Sequence, residues 1–106
     1  MSAVEQRRRE RAPYKGWVEL TVDGRRLRVE GRDLSADGIG VALPVPPPDV
    51  ACSLVSEFAL PGIALPVELR GYVVWSDAGS GRAGVRFEGI DPGLAELLSN
   101  FVAGRL

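Results

Sequence analysis

Alternation of apolar and polar residues predicts that most of this chain forms β-strands. The clearest case is Trp17–Val22, which is followed by Asp23-Gly24, a dipeptide typical of a tight hairpin turn. The next segment resumes the same period, with Leu27 and Val29 on one face. Six strands are predicted in all: Trp17–Val22, Arg25–Leu34, Ile39–Leu43, Ser53–Leu60, Pro66–Trp75 and Arg82–Glu88.

The fifth predicted strand contains a glycine in its interior. Alternation predicts that one face of this strand carries Val67, Leu69, Gly71, Val73 and Trp75. Gly71 indicates either a bend of a barrel or a close approach of another backbone. Four prolines between positions 44 and 48 end the third strand, because proline has no amide hydrogen to donate to a sheet.

The C-terminal residues change to a helical period. Asp91 is a suitable N-cap, Pro92 suits the first helical position, and Gly104 can end the helix. Apolar residues recur at the spacing of an amphipathic helix: Leu94, Leu97, Leu98, Phe101 and Val102. Six strands followed by one helix predict a mainly β fold, a six-stranded antiparallel β-barrel with a C-terminal α-helix closing one end.

The charges divide the chain into a basic arm, residues 1–16, and an acidic barrel domain, residues 17–106. The arm carries five basic and two acidic residues, whereas the barrel domain carries eight basic and twelve acidic residues. Such an asymmetry indicates an arm with an anionic partner. The alternative is a solvated terminus of no specific use.

Composition excludes several classes of function. The 106 residues fit one domain, contain no histidine, and include a single cysteine, Cys52, which we interpret as an inert packed thiol. The chain therefore lacks the residues needed for a histidine-based catalytic triad, for a zinc site built on histidine or paired cysteines, and for a disulfide framework. Asp33, Asp37 and Asp77 lie beside turn residues, where carboxylates usually cap backbone amides, so we do not expect an enzyme. With no apolar stretch of about 20 residues and no signal peptide, we expect a small soluble cytoplasmic domain.

Two short motifs carry the candidate binding chemistry. Arg7 and Arg11 form an Arg-x-x-x-Arg pair whose guanidinium groups can converge on one anion and stack on a purine. Asp33, Ser35 and Gly38 form an Asp-x-Ser-x-x-Gly turn, in which the carboxylate can accept hydrogen bonds from guanine. Each motif alone is a weak signal, and the second also fits an ordinary Asx-turn.

Together and in this order, the motifs resemble those of the PilZ domain family, the bacterial receptor modules for the second messenger cyclic di-GMP. The resemblance covers nearly the whole chain and includes Val73-Val74-Trp75, Gly84-Val85-Arg86-Phe87 and the terminal helix. It implies a barrel whose arginine-bearing arm wraps the ligand against the Asp/Ser/Gly turn. The ligand-binding residues it implies are Arg7, Arg8, Arg11, Asp33, Ser35, Gly38 and Gly40.

On this basis we expect a receptor that binds cyclic di-GMP and signals to a separate effector protein. We expect no cofactor, no DNA or RNA binding, and no membrane insertion. Because residues 1–15 have almost no apolar side chains to bury, we expect the arm to be mobile without ligand and ordered with it. The main alternative is a protein-interaction module of the same fold that binds its partner without a ligand.

Overall fold

The strands and the helix lie close to the positions predicted from the sequence pattern. The computed structural model describes residues 10–43 and 46–105 of the chain. In these residues the structure has seven strands and one helix: β1 Arg11–Pro13, β2 Trp17–Val22, β3 Arg25–Ser35, β4 Gly38–Ala42, β5 Ser53–Phe58, β6 Val67–Asp77, β7 Arg82–Phe87 and α1 Pro92–Val102. The six strands predicted from the sequence all occur, with ends shifted by at most two residues.

Six of the strands form a closed antiparallel barrel, as predicted. Their order is β3-β2-β5-β6-β7-β4, and pairing of β4 with β3 closes the ring. The β2–β3 hairpin turns at Asp23 and Gly24, whose φ angles of 50° and 75° are those required by the tight turns that suit twisted hairpins. At Gly71 an added Cβ would collide with the backbone oxygen of Arg86, which confirms the expected close backbone approach.

The barrel interior and the inner face of α1 form one apolar core. Asp91 caps α1, since its carboxylate accepts a hydrogen bond from the Leu94 N–H at 3.1 Å, and Leu98 is fully buried. The strands contribute buried apolar residues that include Val18, Leu20, Val29, Leu34, Ile39, Val41, Leu54, Phe58, Leu69, Val73 and Val85.

The structure adds a strand that the sequence did not indicate. The short strand β1 pairs antiparallel with the end of β3, so that Arg11 lies opposite Ser35 and Pro13 opposite Asp33. Directly after it, Tyr14 is buried in the core with 5% of its surface exposed. Part of the segment 1–16, from Arg11 onward, is therefore packed on the barrel, and residues 1–9 lie outside the described residues.

Cys52 lies at the edge of the core and is partly buried there. Burial, together with the nearby carboxylates of Asp23 and Asp49, raises the pKa of the Cys52 thiol. The thiol therefore stays protonated at neutral pH, as an unreactive cysteine does. In the described parts of the chain, no helix has the length and apolar character needed to cross a membrane.

Candidate nucleotide-binding groove

A β-bulge in β3 turns Asp33 toward the outside of the barrel. Before the bulge, Val29 and Gly31 face the interior, and uninterrupted alternation would also place Asp33 there. The pairing of β3 with β4 shifts register between Gly31 and Asp33, which leaves Arg32 as the extra residue. Asp33 consequently lies on the outer surface, and Leu34 occupies the core instead.

A second bulge, in β6, does the same for Trp75. The sequence prediction that Trp75 shares the inner face with Val73 is wrong. The pairing of β6 with β7 shifts register between these two residues, and Val74 is the extra residue. Val73 remains buried, whereas Trp75 is 44% exposed on the outer surface, because a bulge redirects the side chains that follow it.

The two redirected side chains lie in one row across four neighbouring strands. Asp33 pairs with Gly40, Gly40 with Gly84, and Gly84 with Trp75. A Cβ on Gly40 would lie 2.7 Å from the Asp33 Oδ1 atom, so the carboxylate covers this glycine. A Cβ on Gly84 would collide with the indole of Trp75. The two glycines therefore leave space on the outer surface of β4 and β7, and the Asp33 carboxylate and the Trp75 indole occupy it.

Arg11 lies against the Asp33 carboxylate at one end of this row. Its Nη1 atom donates a hydrogen bond to Asp33 Oδ1 at 2.5 Å, and the pairing of β1 with β3 places the two residues together. Both side chains keep more than a third of their surface exposed, 46% for Arg11 and 40% for Asp33. The pair therefore remains accessible to a ligand from solvent, and this arginine offers further N–H donors beyond the one that Asp33 uses.

The turn between β3 and β4 forms the adjoining wall. The Ser35 hydroxyl, which is buried, donates a hydrogen bond to Asp37 Oδ1 at 2.8 Å. The Phe87 N–H donates to the Asp37 carbonyl oxygen at 2.8 Å and ties the turn to β7. At Gly38 an added Cβ would lie 2.5 Å from the Val85 carbonyl oxygen, so only glycine permits this close packing of β4 on β7.

Beside this row of residues lies a surface groove of about 370 Å³. It is lined by Arg11, Asp37, Gly38, Val74, Trp75, Val85 and Arg86. Two guanidinium groups provide bidentate donors for phosphate, and the exposed indole provides a flat surface for a base. The groove can therefore bind an anion that also carries an aromatic ring.

The structure brings together four of the residues singled out in the sequence. Arg11 and Asp33 are in contact, Gly40 lies beneath the Asp33 carboxylate, and Gly38 lines the groove beside Arg11. Ser35 is buried below the turn, and its direct contact with a ligand stays a prediction. The two remaining candidates, Arg7 and Arg8, lie outside the described residues.

Sequence reasoning missed Trp75 and Arg86 as residues of the groove. For Trp75 the sequence did contain a signal. Val73-Val74-Trp75 places three apolar residues in succession and so interrupts the alternation of apolar and polar residues in the strand. Asp77 caps its turn, as expected from the sequence, because its carboxylate accepts hydrogen bonds from the Gly79 N–H and the Ser80 hydroxyl, each at 3.0 Å. Within residues 10–43 and 46–105, no group of His, Cys, Asp and Glu side chains could hold a metal ion.

Three solved structures share this fold at low sequence identity. The inhibitor of motility MotI (DgrA) of Bacillus subtilis is 20% identical with a TM-score of 0.76. The alignment covers 92% of this chain and 50% of MotI, so this chain spans only half of the length of MotI. The PilZ domain of YcgR from Escherichia coli, solved with c-di-GMP, is 19% identical with a TM-score of 0.71, covering 93% of this chain and 90% of that one. The PilZ domain of CeSA from a cellulose-synthesizing bacterium is 17% identical with a TM-score of 0.65, covering 89% and 95%.

Comparison with curated proteins finds no match for the chain. The PilZ domain family model, in contrast, matches residues 5–104, which is nearly the whole sequence. The match includes both motifs, the barrel and the terminal helix. On this evidence, the chain belongs to the PilZ domain family.

Proposed function

We propose that this chain is a bacterial, cytoplasmic receptor domain for cyclic di-GMP that passes its signal to a separate effector protein. The observation that carries the proposal is the contact of Arg11 with Asp33 at the edge of a groove that also contains Trp75 and Arg86. Membership of the PilZ family and the fold shared with the c-di-GMP-bound domain of YcgR support the choice of ligand.

Each part of the ligand has a matching group in the groove or on a residue in contact with its lining. Cyclic di-GMP carries two phosphates and two guanines, so it combines negative charge with flat aromatic surfaces. Arg11 and Arg86 supply bidentate donors for the phosphates, and the Trp75 indole supplies a stacking surface for a guanine. Asp33 supplies two acceptor oxygens for the N1–H and exocyclic amine of guanine.

The first prediction concerns the choice of base. Calorimetric titration should give roughly micromolar affinity for cyclic di-GMP, because three or four charge-assisted hydrogen bonds offset the loss of conformational freedom. Cyclic di-AMP and GTP should bind at least about tenfold more weakly, since adenine lacks the paired donors that Asp33 accepts and GTP offers only one guanine.

The matched control is a pair of carboxylate substitutions. Asp33→Asn should remove most of the preference for guanine over adenine, whereas Asp49→Asn, at an exposed carboxylate that lies beside Val22 and Asp23, should leave it unchanged. Equal affinities of the unaltered protein for cyclic di-GMP and cyclic di-AMP would show that Asp33 does not select the base. No binding of either nucleotide would favour a ligand-independent protein-interaction module.

We propose further that binding orders the arginine-bearing arm and that the ordered arm is the signal read by the effector. Arg7 and Arg8 lie four and three residues before Arg11 in the sequence, and β1 already places Arg11 on Asp33. A dianionic ligand held by Arg11 would therefore draw the preceding arginines toward the groove. Ordering these residues reduces the net affinity by several kcal/mol, which keeps binding moderate and reversible.

Hydrogen exchange with and without cyclic di-GMP tests this arm mechanism. The largest gain in protection is expected in residues 5–10 and 33–40, with little change in residues 94–103. Residues 11–16 should gain less than the sequence suggested, because the Tyr14 N–H already donates to the Arg32 carbonyl oxygen at 3.0 Å and β1 is paired with β3. Equal protection of residues 5–10 in both states would contradict an ordering mechanism even if the ligand binds.

A further inference from the structure

The backbone conformation at Gly84, in β7, does not require glycine. Its φ angle is not in the left-handed region, and it lies in the strand between Ala83 and Val85. Glycine in the interior of a strand weakens the strand, because it loses more backbone freedom on folding and contributes no side chain to packing. The reason for glycine at this position must therefore lie in its surroundings.

The surroundings of Gly84 consist of the Trp75 side chain. A Cβ on Gly84 would lie 2.6 Å from Cε2 and 2.7 Å from Cδ1 of the indole and would also collide with its Nε1 atom. Gly84 is buried although it faces outward, because the indole covers it. Every residue other than glycine would therefore displace the indole from the surface of the barrel.

The nature of this contact separates Gly84 from Gly38 and Gly71. At Gly38 and Gly71 an added Cβ meets a backbone oxygen, of Val85 and Arg86 respectively, so a side chain there would disturb the strand pairing. At Gly84 the obstacle is a partly exposed side chain, which can rotate away without moving the backbone. A substitution at Gly84 should thus change the position of the indole and leave the fold intact.

We infer that Gly84 is a positioning residue for nucleotide binding, which holds the Trp75 indole flat above β7 so that it faces the Asp33 carboxylate above β4. The opposite glycine, Gly40, does the same for Asp33, and the two glycines are cross-strand partners. The carboxylate and the indole therefore lie above neighbouring strands, whose backbones are about 4.8 Å apart. A guanine whose edge meets Asp33 then meets the indole with its ring. This inference rests on the proposed binding of cyclic di-GMP.

The test begins with Trp75 fluorescence in the absence of any nucleotide. In a Trp17→Phe background, Trp75 is the only tryptophan. Gly84→Ala should raise the acrylamide quenching constant of its fluorescence, because the displaced indole is more accessible to solvent. Gly79→Ala is the matched control, since it adds the same methyl group in the same hairpin, 3.3 Å from Asp77 Oδ1 and away from the indole. It should leave the quenching unchanged.

The second measurement is the affinity for cyclic di-GMP in a double-mutant cycle. Gly84→Ala should weaken binding about fivefold or more, the low end of what one stack of a base on an aromatic side chain contributes. In a Trp75→Ala background the same substitution should weaken binding less than about twofold, because a residue that acts through the indole has no effect once the indole is absent.

Two results would overturn the inference: unchanged quenching in Gly84→Ala, or an equal loss of affinity with and without Trp75. Failure of the proposed function is recognised separately, because the unaltered protein would then not bind cyclic di-GMP at all. The quenching experiment would in that case still decide whether Gly84 positions the indole.

Discussion

Arg11→Ala is expected to weaken binding of cyclic di-GMP by about 2–4 kcal/mol while leaving the fold nearly unchanged. The substitution removes a guanidinium that contacts Asp33 and lines the groove, and with it the bidentate contacts to a phosphate. The change in the free energy of unfolding is small because the ion pair of Arg11 with Asp33 is partly exposed, and such pairs contribute little to stability. Calorimetric titration and thermal unfolding of the same preparation measure the two effects.

Arg26→Ala provides the matched control for charge. Arg26 also forms an ion pair on the barrel surface, with Glu19 at 2.6 Å, but it does not line the groove. Its replacement should change the affinity for cyclic di-GMP by less than about 0.5 kcal/mol. Arg7→Ala should resemble Arg11→Ala, whereas Arg8→Ala and Arg9→Ala should cost less. Equal losses of affinity at the four arginines of the arm would instead indicate diffuse electrostatic attraction.

Tyr14→Ala is expected to lower the free energy of unfolding by about 3–5 kcal/mol, a large part of the stability of a domain of this size. The Tyr14 ring makes edge contacts with Phe58 and Phe101, at centroid distances of 5.7 and 5.9 Å. Its hydroxyl donates a hydrogen bond to the Ala59 carbonyl oxygen at 2.6 Å. Urea unfolding measures the loss. Tyr72→Ala, at a half-buried tyrosine on the outer face of β6, should cost much less.

The hydroxyl of Tyr14 also predicts how stability depends on pH. Burial raises the pKa of Tyr14, because the apolar core disfavours the charged phenolate. A raised pKa means that the folded protein favours the neutral phenol, so this contribution is present below the unfolded value of about 10 and is lost at higher pH. Tyr14→Phe should therefore show a smaller fall in stability above pH 10. An identical fall in both proteins would contradict this role of Tyr14.

The strands, the first hairpin and the helix could be predicted from the sequence because their signals are local. Alternation in Trp17–Val22, the turn at Asp23-Gly24 and the cap at Asp91 each act within a few residues of the chain. The two short motifs could also be recognised in the sequence, and the pairing of β1 with β3 brings Arg11 of the first motif to Asp33 of the second. The burial of Tyr14 could not be predicted from the sequence, because its partners Phe58 and Phe101 are distant in the chain.

The outward positions of Asp33 and Trp75 depended on tertiary structure. Strict alternation along β3 and β6 would have placed both side chains in the core, and it did mislead the prediction for Trp75. A bulge exists only relative to the strand opposite, here β4 for Arg32 and β7 for Val74, so no property of one strand alone specifies it. Local chemistry thus determined which residues form the barrel, whereas pairing between strands far apart in the chain determined which side chains form the groove.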